Sequence, residues 1–308
     1  MKRVLVTGGA GFIGSAVVRN LVAQKKDVAI LIRTSSNLRR LANILPNVEL
    51  INGDLSNIHS SFSDIKSFSP DAIVHIAWDG VSSINRDDLN QLDNVKSSFE
   101  LFSMANTIGC QYFLGVGSQA EYGLSEGIIN ESQPTTPKNL YGLSKLTTGL
   151  MLEKNSISNG MDFCWLRLFS SYGPDDEPTF MLPYLITQLL GGKMPLLTAG
   201  EQIWDYIHVD DVASAVCAAL DKKVVGIYNL GSGLGYPLRI IIEKVRNLIN
   251  PELTLGFGRI PYAKNQVMHL QADIAALVSA TGWSPSISLD QGLLSVVDWY
   301  NNNCNKVL

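Results

Sequence analysis

The chain has 308 residues, of which 46% are apolar and 17% charged. That composition supplies one large core or two modest ones and excludes a disordered protein. Lys and Arg number 24 against 28 Asp and Glu, a net charge of -4. A mildly acidic chain is not expected to take nucleic acid as its partner, because phosphate backbones reward basic patches.

Met1-Lys2-Arg3 leads straight into a β-rich run, Val4-Leu5-Val6, with no signal-peptide pattern before it. No apolar run reaches the ~18 residues of a membrane span, so a cytoplasmic protein without a membrane partner is expected. A helix is expected over Gly14 to Gln24, strands at Val28 to Ile32 and Val48 to Ile51, and a strand at Ala72 to Ile76. A long helix follows near Gln91 to Ile108, a strand at Tyr112 to Val116, a helix from about Tyr141, and a strand at Phe163 to Arg167. Apolar strands without alternation, separated by amphipathic helices, indicate an α/β fold with a parallel sheet covered on both faces. Right-handed crossovers make it a doubly wound, Rossmann-type sheet. After Arg167, Gly and Pro punctuate shorter elements, and Val225 to Tyr228 reads as a strand returning to the first sheet. The expected division is a dinucleotide-binding domain over 1–167, with 205–230 returning to it, and a smaller interleaved substrate lobe over 168–204 and 231–308.

Cys110, Cys164, Cys217 and Cys304 are widely spaced, mostly in apolar runs, and read as reduced core fillers. His59, His75, His208 and His269 are equally scattered, so no metal site is expected.

Strand Val4-Leu5-Val6 runs into Thr7-Gly8-Gly9-Ala10-Gly11-Phe12-Ile13-Gly14 and then a helix. In such a loop one glycine makes the turn, one lets the backbone approach a pyrophosphate, and one lets helix and strand pack closely. The helix N-terminus offers free N–H groups and a positive dipole end. No Lys-Ser or Lys-Thr follows, which excludes a Walker loop. Arg33 stands at the end of the second strand, where an NAD-preferring site carries an acid for the ribose 2′-hydroxyl. No acid lies between Asp27 and Glu49, and Arg33 is followed by Thr34-Ser35-Ser36 and by Arg39-Arg40. A 2′-phosphate wants a guanidinium and short hydroxyls, so Arg33, Ser35 and Ser36 are expected to select NADP(H). Asp54, after the third strand, fits either an acceptor for the adenine amino group or a helix N-cap.

Tyr141 and Lys145 are four residues apart on one helical face. A free phenol has a pKa of about 10 and is a poor base at neutral pH. A neighbouring ammonium is expected to lower it.

Taken together these motifs make the chain resemble an extended short-chain dehydrogenase/reductase of the NAD-dependent epimerase/dehydratase kind, over essentially its whole length. The resemblance rests on the glycine loop, Gly53-Asp54-Leu55, His75-Ile76-Ala77, Asn94-Val95, Tyr141-x-x-x-Lys145, Arg167 with Tyr172-Gly173-Pro174, Asp205 to Asp211, and Gly282-Trp283-x-Pro285. It implies that Gly8, Gly11, Phe12, Ile13, Gly14, Leu55 and Ala77 line the cofactor. It implies Tyr141 as acid/base, Lys145 on the nicotinamide ribose, Ser118 on the substrate oxygen, and Asn94 in support of the lysine. It also implies a homodimer through the helices near 91–108 and 141–155.

Within that family, dehydratases follow the Ser/Thr with an Asp-Glu pair. Here Gln119 and Ala120 follow, and Glu121 is one step out of register. The expectation is therefore NADPH-dependent reduction of a nucleotide-linked 4-keto-6-deoxyhexose, a reading that Ala77-Trp78-Asp79-Gly80 and Trp204 also resemble. The alternatives are a nucleotide-sugar 4-epimerase with bound NAD and a non-catalytic NADP-binding sensor. A nucleotide-diphosphate sugar is expected between the lobes, with Trp78, Ser118, Gln119, Ser170, Phe180, Trp204 and Arg259 as candidate contacts. Lys193 and Tyr172 are further candidates, for a phosphate and a wall respectively.

Overall fold

The computed structural model describes residues 1–125 and 127–307. Seven strands form one parallel sheet: β1 (Arg3–Thr7), β2 (Asp27–Ile32), β3 (Val48–Asn52), β4 (Ala72–His75), β5 (Tyr112–Ser118), β7 (Asp162–Leu168) and β10 (Gly226–Leu230). Their spatial order is β10-β7-β5-β4-β1-β2-β3. The strand order reverses between β1 and β4, the point of a doubly wound sheet at which a crevice opens beyond the carboxyl ends.

Near-continuous apolar runs place these strands in the core. Leu5, Ile30, Ile73, Phe113 and Leu166 are all fully buried. One face is covered by α1 (Phe12–Ala23), α6 (Val209–Lys222) and α8 (Ala275–Thr281). The other is covered by α2 (Phe62–Phe68), α3 (Gln91–Thr107) and α4 (Leu140–Asn159). Trp165, on β7, packs against Gly149 of α4. A Cβ at Gly115 or Gly117 on β5, or at Gly149 on α4, would collide with its indole. These glycines let helix and sheet close over the ring.

A second, mixed sheet holds β6 (Gly127–Ile129), β8 (Ser170–Tyr172), β9 (Ile203–His208), β11 (Gly235–Pro237) and β12 (His269–Ala272). Helices α5 (Met181–Leu190), α7 (Leu238–Ile249) and α9 (Leu289–Val307) pack on it around Tyr172, Leu185, Ile241 and Val296. The chain returns to the large sheet through α6 and β10; residues 205–208 belong to β9 and the smaller sheet, which also takes β6 from the first half. Tyr172 is part of this core, packed edge-on against Tyr206 and His208, and is not an open wall.

Cys110, Cys164 and Cys217 are buried free thiols, and burial pushes all three pKa values up. The side chain of Cys304 lies outside the described residues. Among the described residues no cluster of His, Cys, Asp or Glu could hold a metal ion, and no helix is long and apolar enough to cross a membrane.

A buried ion pair joins the end of β5 to β7. The Arg167 Nε donates to Glu121 Oε2 at 2.7 Å, with both side chains almost wholly buried. Arg167→Met would leave Glu121 buried without its counter-charge, and the unfolding free energy is expected to fall by about 3–5 kcal/mol. Urea denaturation measures this; a loss below about 1 kcal/mol, the worth of a surface pair, would contradict the assignment.

Candidate active site

The glycine loop bends β1 into α1. Gly8 has φ +73, and a Cβ there would lie 2.7 Å from the Ala77 amide nitrogen. A Cβ on Gly14 would collide with the Gly8 carbonyl. Gly11 is the N-cap of α1 and offers no side-chain cap. The first N–H groups of the helix, at Phe12 and Ile13, therefore point out with no partner from the helix itself. A tight, side-chain-free cradle ending in free donors fits the pyrophosphate of a dinucleotide.

The crevice is held by a hydrogen-bond chain between β1, β4 and α3. Ala77 N–H donates to Thr7 Oγ1, which lies 2.8 Å from His75 Nδ1; His75 Nε2 lies 2.9 Å from Ser98 Oγ. Ser98 in turn donates to the Asn94 carbonyl. Burial pushes the His75 pKa down to about 3, with the Lys145 charge adding to the effect, so the ring is neutral.

At the ribose end, the Ser36 hydroxyl accepts from the Arg33 N–H and closes the turn, while Ser35 is exposed. The Arg33 Nη1 lies 3.6 Å from Asp79, with both side chains more than half exposed. Such a pair holds the guanidinium only weakly. Arg39 and Arg40 are engaged elsewhere: both pair with Asp175, and Arg40 also donates to the Asp175 carbonyl. Asp54 acts as a cap, its Oδ1 accepting from the Ser56 N–H and hydroxyl, and these bonds hold its pKa below the usual carboxylate range. Leu55 beside it is half-buried.

Asn139 caps α4 by accepting from the Gly142 N–H, which sets Tyr141 in the first turn and Lys145 one turn on. Both are buried and both lie beside Trp78. The Lys145 Nζ stands 3.8 Å from the Trp78 ring centroid and donates to the Val116 carbonyl at 2.6 Å. Loss of solvent pushes its pKa down to about 7, partly offset by Glu121. Burial pushes the Tyr141 pKa up; a hydrogen bond with Ser118 and the charge of Arg86 lower it, and Glu121 raises it. The Arg86 guanidinium carbon also lies 5.0 Å from the Tyr141 ring centroid.

Asn94 stands at the start of α3, beside the loop after β4. Its side-chain amide accepts from the Asp79 N–H and donates to the Asp79 carbonyl, both at 3.0 Å. It fastens the loop after β4. Glu121 has no freedom to act as an acid. Its Oε1 accepts from the Ser118 N–H and the Trp165 Nε1, and its Oε2 from Arg167. Ser118-x-x-Glu121 is a capping box, and that spacing was the available signal for its role. No local signal points to Arg86, which reaches Tyr141 from a distant loop.

Of the candidate substrate contacts, Trp78 and Ser118 adjoin Tyr141, with the Trp78 Nε1 donating to Gln91, and Gln119 is half-buried on the turn after Ser118. Ser170 is half-buried on β8, Trp204 is half-buried on β9 with its Nε1 donating to the Val267 carbonyl, and Phe180 is 37% exposed at the start of α5. Lys193 and Arg259 are exposed near the Leu196–Gly256 bridge, and among the described residues neither side chain bonds to the Ser118–Tyr141 group.

Comparison with known proteins agrees with this arrangement. The NAD dependent epimerase/dehydratase family matches residues 4–231. The dTDP-glucose 4,6-dehydratase of Neisseria meningitidis serogroup B is 26% identical, with 98% of this chain and 94% of the relative covered. The UDP-glucose 4-epimerase of Lacticaseibacillus casei is also 26% identical, with 97% of each chain covered. The solved UDP-N-acetylglucosamine 4-epimerase from Methanobrevibacter ruminantium M1, in complex with UDP-N-acetylmuramic acid, superposes with a TM-score of 0.88 at 25% identity, covering 98% of this chain and 99% of that one. With three quarters of its length under the family's pattern and the crevice built to match, this chain belongs to the NAD dependent epimerase/dehydratase family.

Proposed function

We propose that the protein interconverts nucleotide-linked sugars that are epimeric at C4, with a nicotinamide dinucleotide along the β1–β4 crevice and Tyr141 as the acid/base. The observation that carries this reading is the chemistry around Ser118. One phenol stands there in hydrogen-bond contact with the serine, and the neighbouring carboxylate, Glu121, is engaged by Trp165, Arg167 and the Ser118 amide. Eliminating water calls for a further acid/base group; moving hydrogen at an alcohol carbon calls for one. The engaged state of Glu121 supports the second chemistry and disfavours dehydration.

Bound in the crevice, the cofactor supplies hydride acceptance and return. Tyr141 takes the proton of the sugar 4-hydroxyl as the C4–H bond breaks. It keeps that proton while the keto sugar turns over, then returns it to the oxygen from which the Ser118 hydroxyl has not moved. Lys145 gives one of its donors to Val116 and has others for the nicotinamide ribose. The relatives' names support a nucleoside diphosphate sugar as substrate. Trp78, Gln119, Ser170, Phe180, Trp204 and Arg259 are the proposed contacts, between a cofactor domain (1–167 with 209–230, less β6) and a substrate lobe (168–208 and 231–308, with β6).

A second reading is NADPH-dependent reduction of a nucleotide-linked 4-keto-6-deoxyhexose. The observation in its favour is Arg33, held only by an exposed pair with Asp79 where a 2′-phosphate would compete for it. The exposed Leu92 of α3 and Leu143, Leu150 and Met151 of α4 further support a homodimer.

The deciding experiment incubates the protein with UDP- and dTDP-linked glucose and galactose, without added reductant, and follows C4 configuration by NMR. Epimerisation with no net cofactor consumption is expected, and Tyr141→Phe should lower it by about 10²–10⁴-fold. Stoichiometric NADPH oxidation by a 4-keto-6-deoxy sugar, with no epimerisation, would replace the first reading with the second. If the second holds, Arg33→Asp should move selectivity from NADPH toward NADH by about 10–100-fold; unchanged selectivity would remove Arg33 from the cofactor site. Sedimentation should report a dimer, and a monomer at every concentration would end that inference.

A further inference from the structure

Lys145 is buried, so its ammonium has to be stabilised largely without water. Among the described residues it has no ion-pair partner. The Val116 carbonyl accepts one of its N–H groups at 2.6 Å. Two indoles stand close by. The Nζ lies 3.8 Å from the ring centroid of Trp78, in the loop after β4, and 5.7 Å from that of Trp165, on β7. Both rings are fixed from behind. The Trp78 Nε1 donates to Gln91 Oε1 at 2.8 Å, and the Trp165 Nε1 donates to Glu121 Oε1 at 2.9 Å. Gln91 is itself buried, and its amide donates to the Gly80 and Asn85 carbonyls, so the loop that carries Trp78 also sets its orientation. An N–H engaged by an acceptor polarises the ring toward a more negative face.

We propose that the two indoles stand in for a counter-ion and hold Lys145 as an ammonium, with Trp78 as the positioning residue of the pair. A cation over an indole face is attracted by the ring quadrupole, most strongly where water is excluded. Trp78 is in direct contact; Trp165 is farther off and adds less. The titratable groups around the ammonium leave this task to the rings. Glu121, on the turn after β5, favours the charged form, but its carboxylate is already paired with Arg167 of β7. His75, on β4, is neutral, its ring held between Thr7 and Ser98. Burial holds the Tyr141 phenol, one turn earlier on α4, toward its neutral form. The Trp78 ring meets Lys145 with its face and Tyr141 edge-on, so one side chain sets the spacing of both. An ammonium has three donors, and those not given to Val116 remain for the nicotinamide ribose; a neutral amine offers fewer. The inference rests on the reading of Lys145 as the residue that meets that ribose.

The test changes the π density of the ring and keeps its shape. Trp78→Leu would admit water to the lysine, which acts on the charge in the opposite direction. Position 78 is therefore filled in turn by mono-, di- and trifluorotryptophan, since fluorine withdraws density from the face. The protein carries ¹³C at lysine Cε, and the Lys145 resonance is the one missing from Lys145→Met. Without cofactor, its titration midpoint is expected to fall stepwise with each fluorine, by about one pH unit across the series. The same series at Trp299, on α9 in the smaller lobe, should leave the midpoint in place. The pH at which NAD affinity is lost on the alkaline side should fall with the series at position 78 by the same amount. A midpoint that stays constant or rises through that series, or that moves equally with the series at position 299, would overturn the proposal. A midpoint that falls while the NAD profile stays fixed would remove the positioning role, together with the placing of Lys145 on the ribose. Neither readout needs turnover, so failure of the epimerase reading leaves the proposal standing.

Discussion

A carboxylate taken out of water is costly unless its oxygens find donors, and both oxygens of Glu121 do so at the centre of this molecule. One oxygen accepts from the Ser118 amide and the Trp165 indole, the other from Arg167. The same arginine donates to the Tyr122 hydroxyl, Tyr122 donates to Asn229, and the Asn229 amide reaches the Ile129 carbonyl. The network therefore runs from the end of β5 through β7 and β10 to β6 in the smaller sheet. A hydrophobic replacement could stabilise the fold equally well. What the charged network adds is direction: Ser118 is fixed at one end of it, and the second sheet at the other.

That role bears on the proposed chemistry. An acid next to Ser118 would be expected to work on a bound sugar, and Glu121 stands one residue out of register with such an acid. The structure turns it inward. The relatives divide between dehydratases and epimerases. Arg33 bears on a different question, which dinucleotide is held, and its loose pairing with Asp79 leaves that question to the ligand.

The parallel sheet and the glycine loop were legible because they depend on local signals: unbroken apolar strands, helical periodicity, and glycines within one turn of each other. Tyr141 and Lys145 were legible as residues sharing a helical face. What each touches was not. Lys145 turns to Val116, Asn94 to the Asp79 backbone, and Arg86 lies over the Tyr141 ring. The pairing of Arg39 and Arg40 with Asp175 links loops 135 residues apart for Arg40. Such partners follow from how loops meet in three dimensions, and no spacing along the chain encodes them. Asp54 illustrates the converse: two roles fitted the sequence, and the hydrogen bonds to Ser56 satisfy the cap.

Trp165 carries a last consequence. Its indole fills the space that side chains at Gly115, Gly117 and Gly149 would need, and its Nε1 is fastened to Glu121. Strand, helix and ring thus form a floor in which no one residue can be enlarged by itself. A descendant of this protein that acquired a new sugar would have to change the walls supplied by the loops and the smaller sheet. The floor beneath Ser118 and Tyr141 would pass to it unaltered, and drift at these glycines should be far slower than drift at Gln119, Ser170 or Phe180.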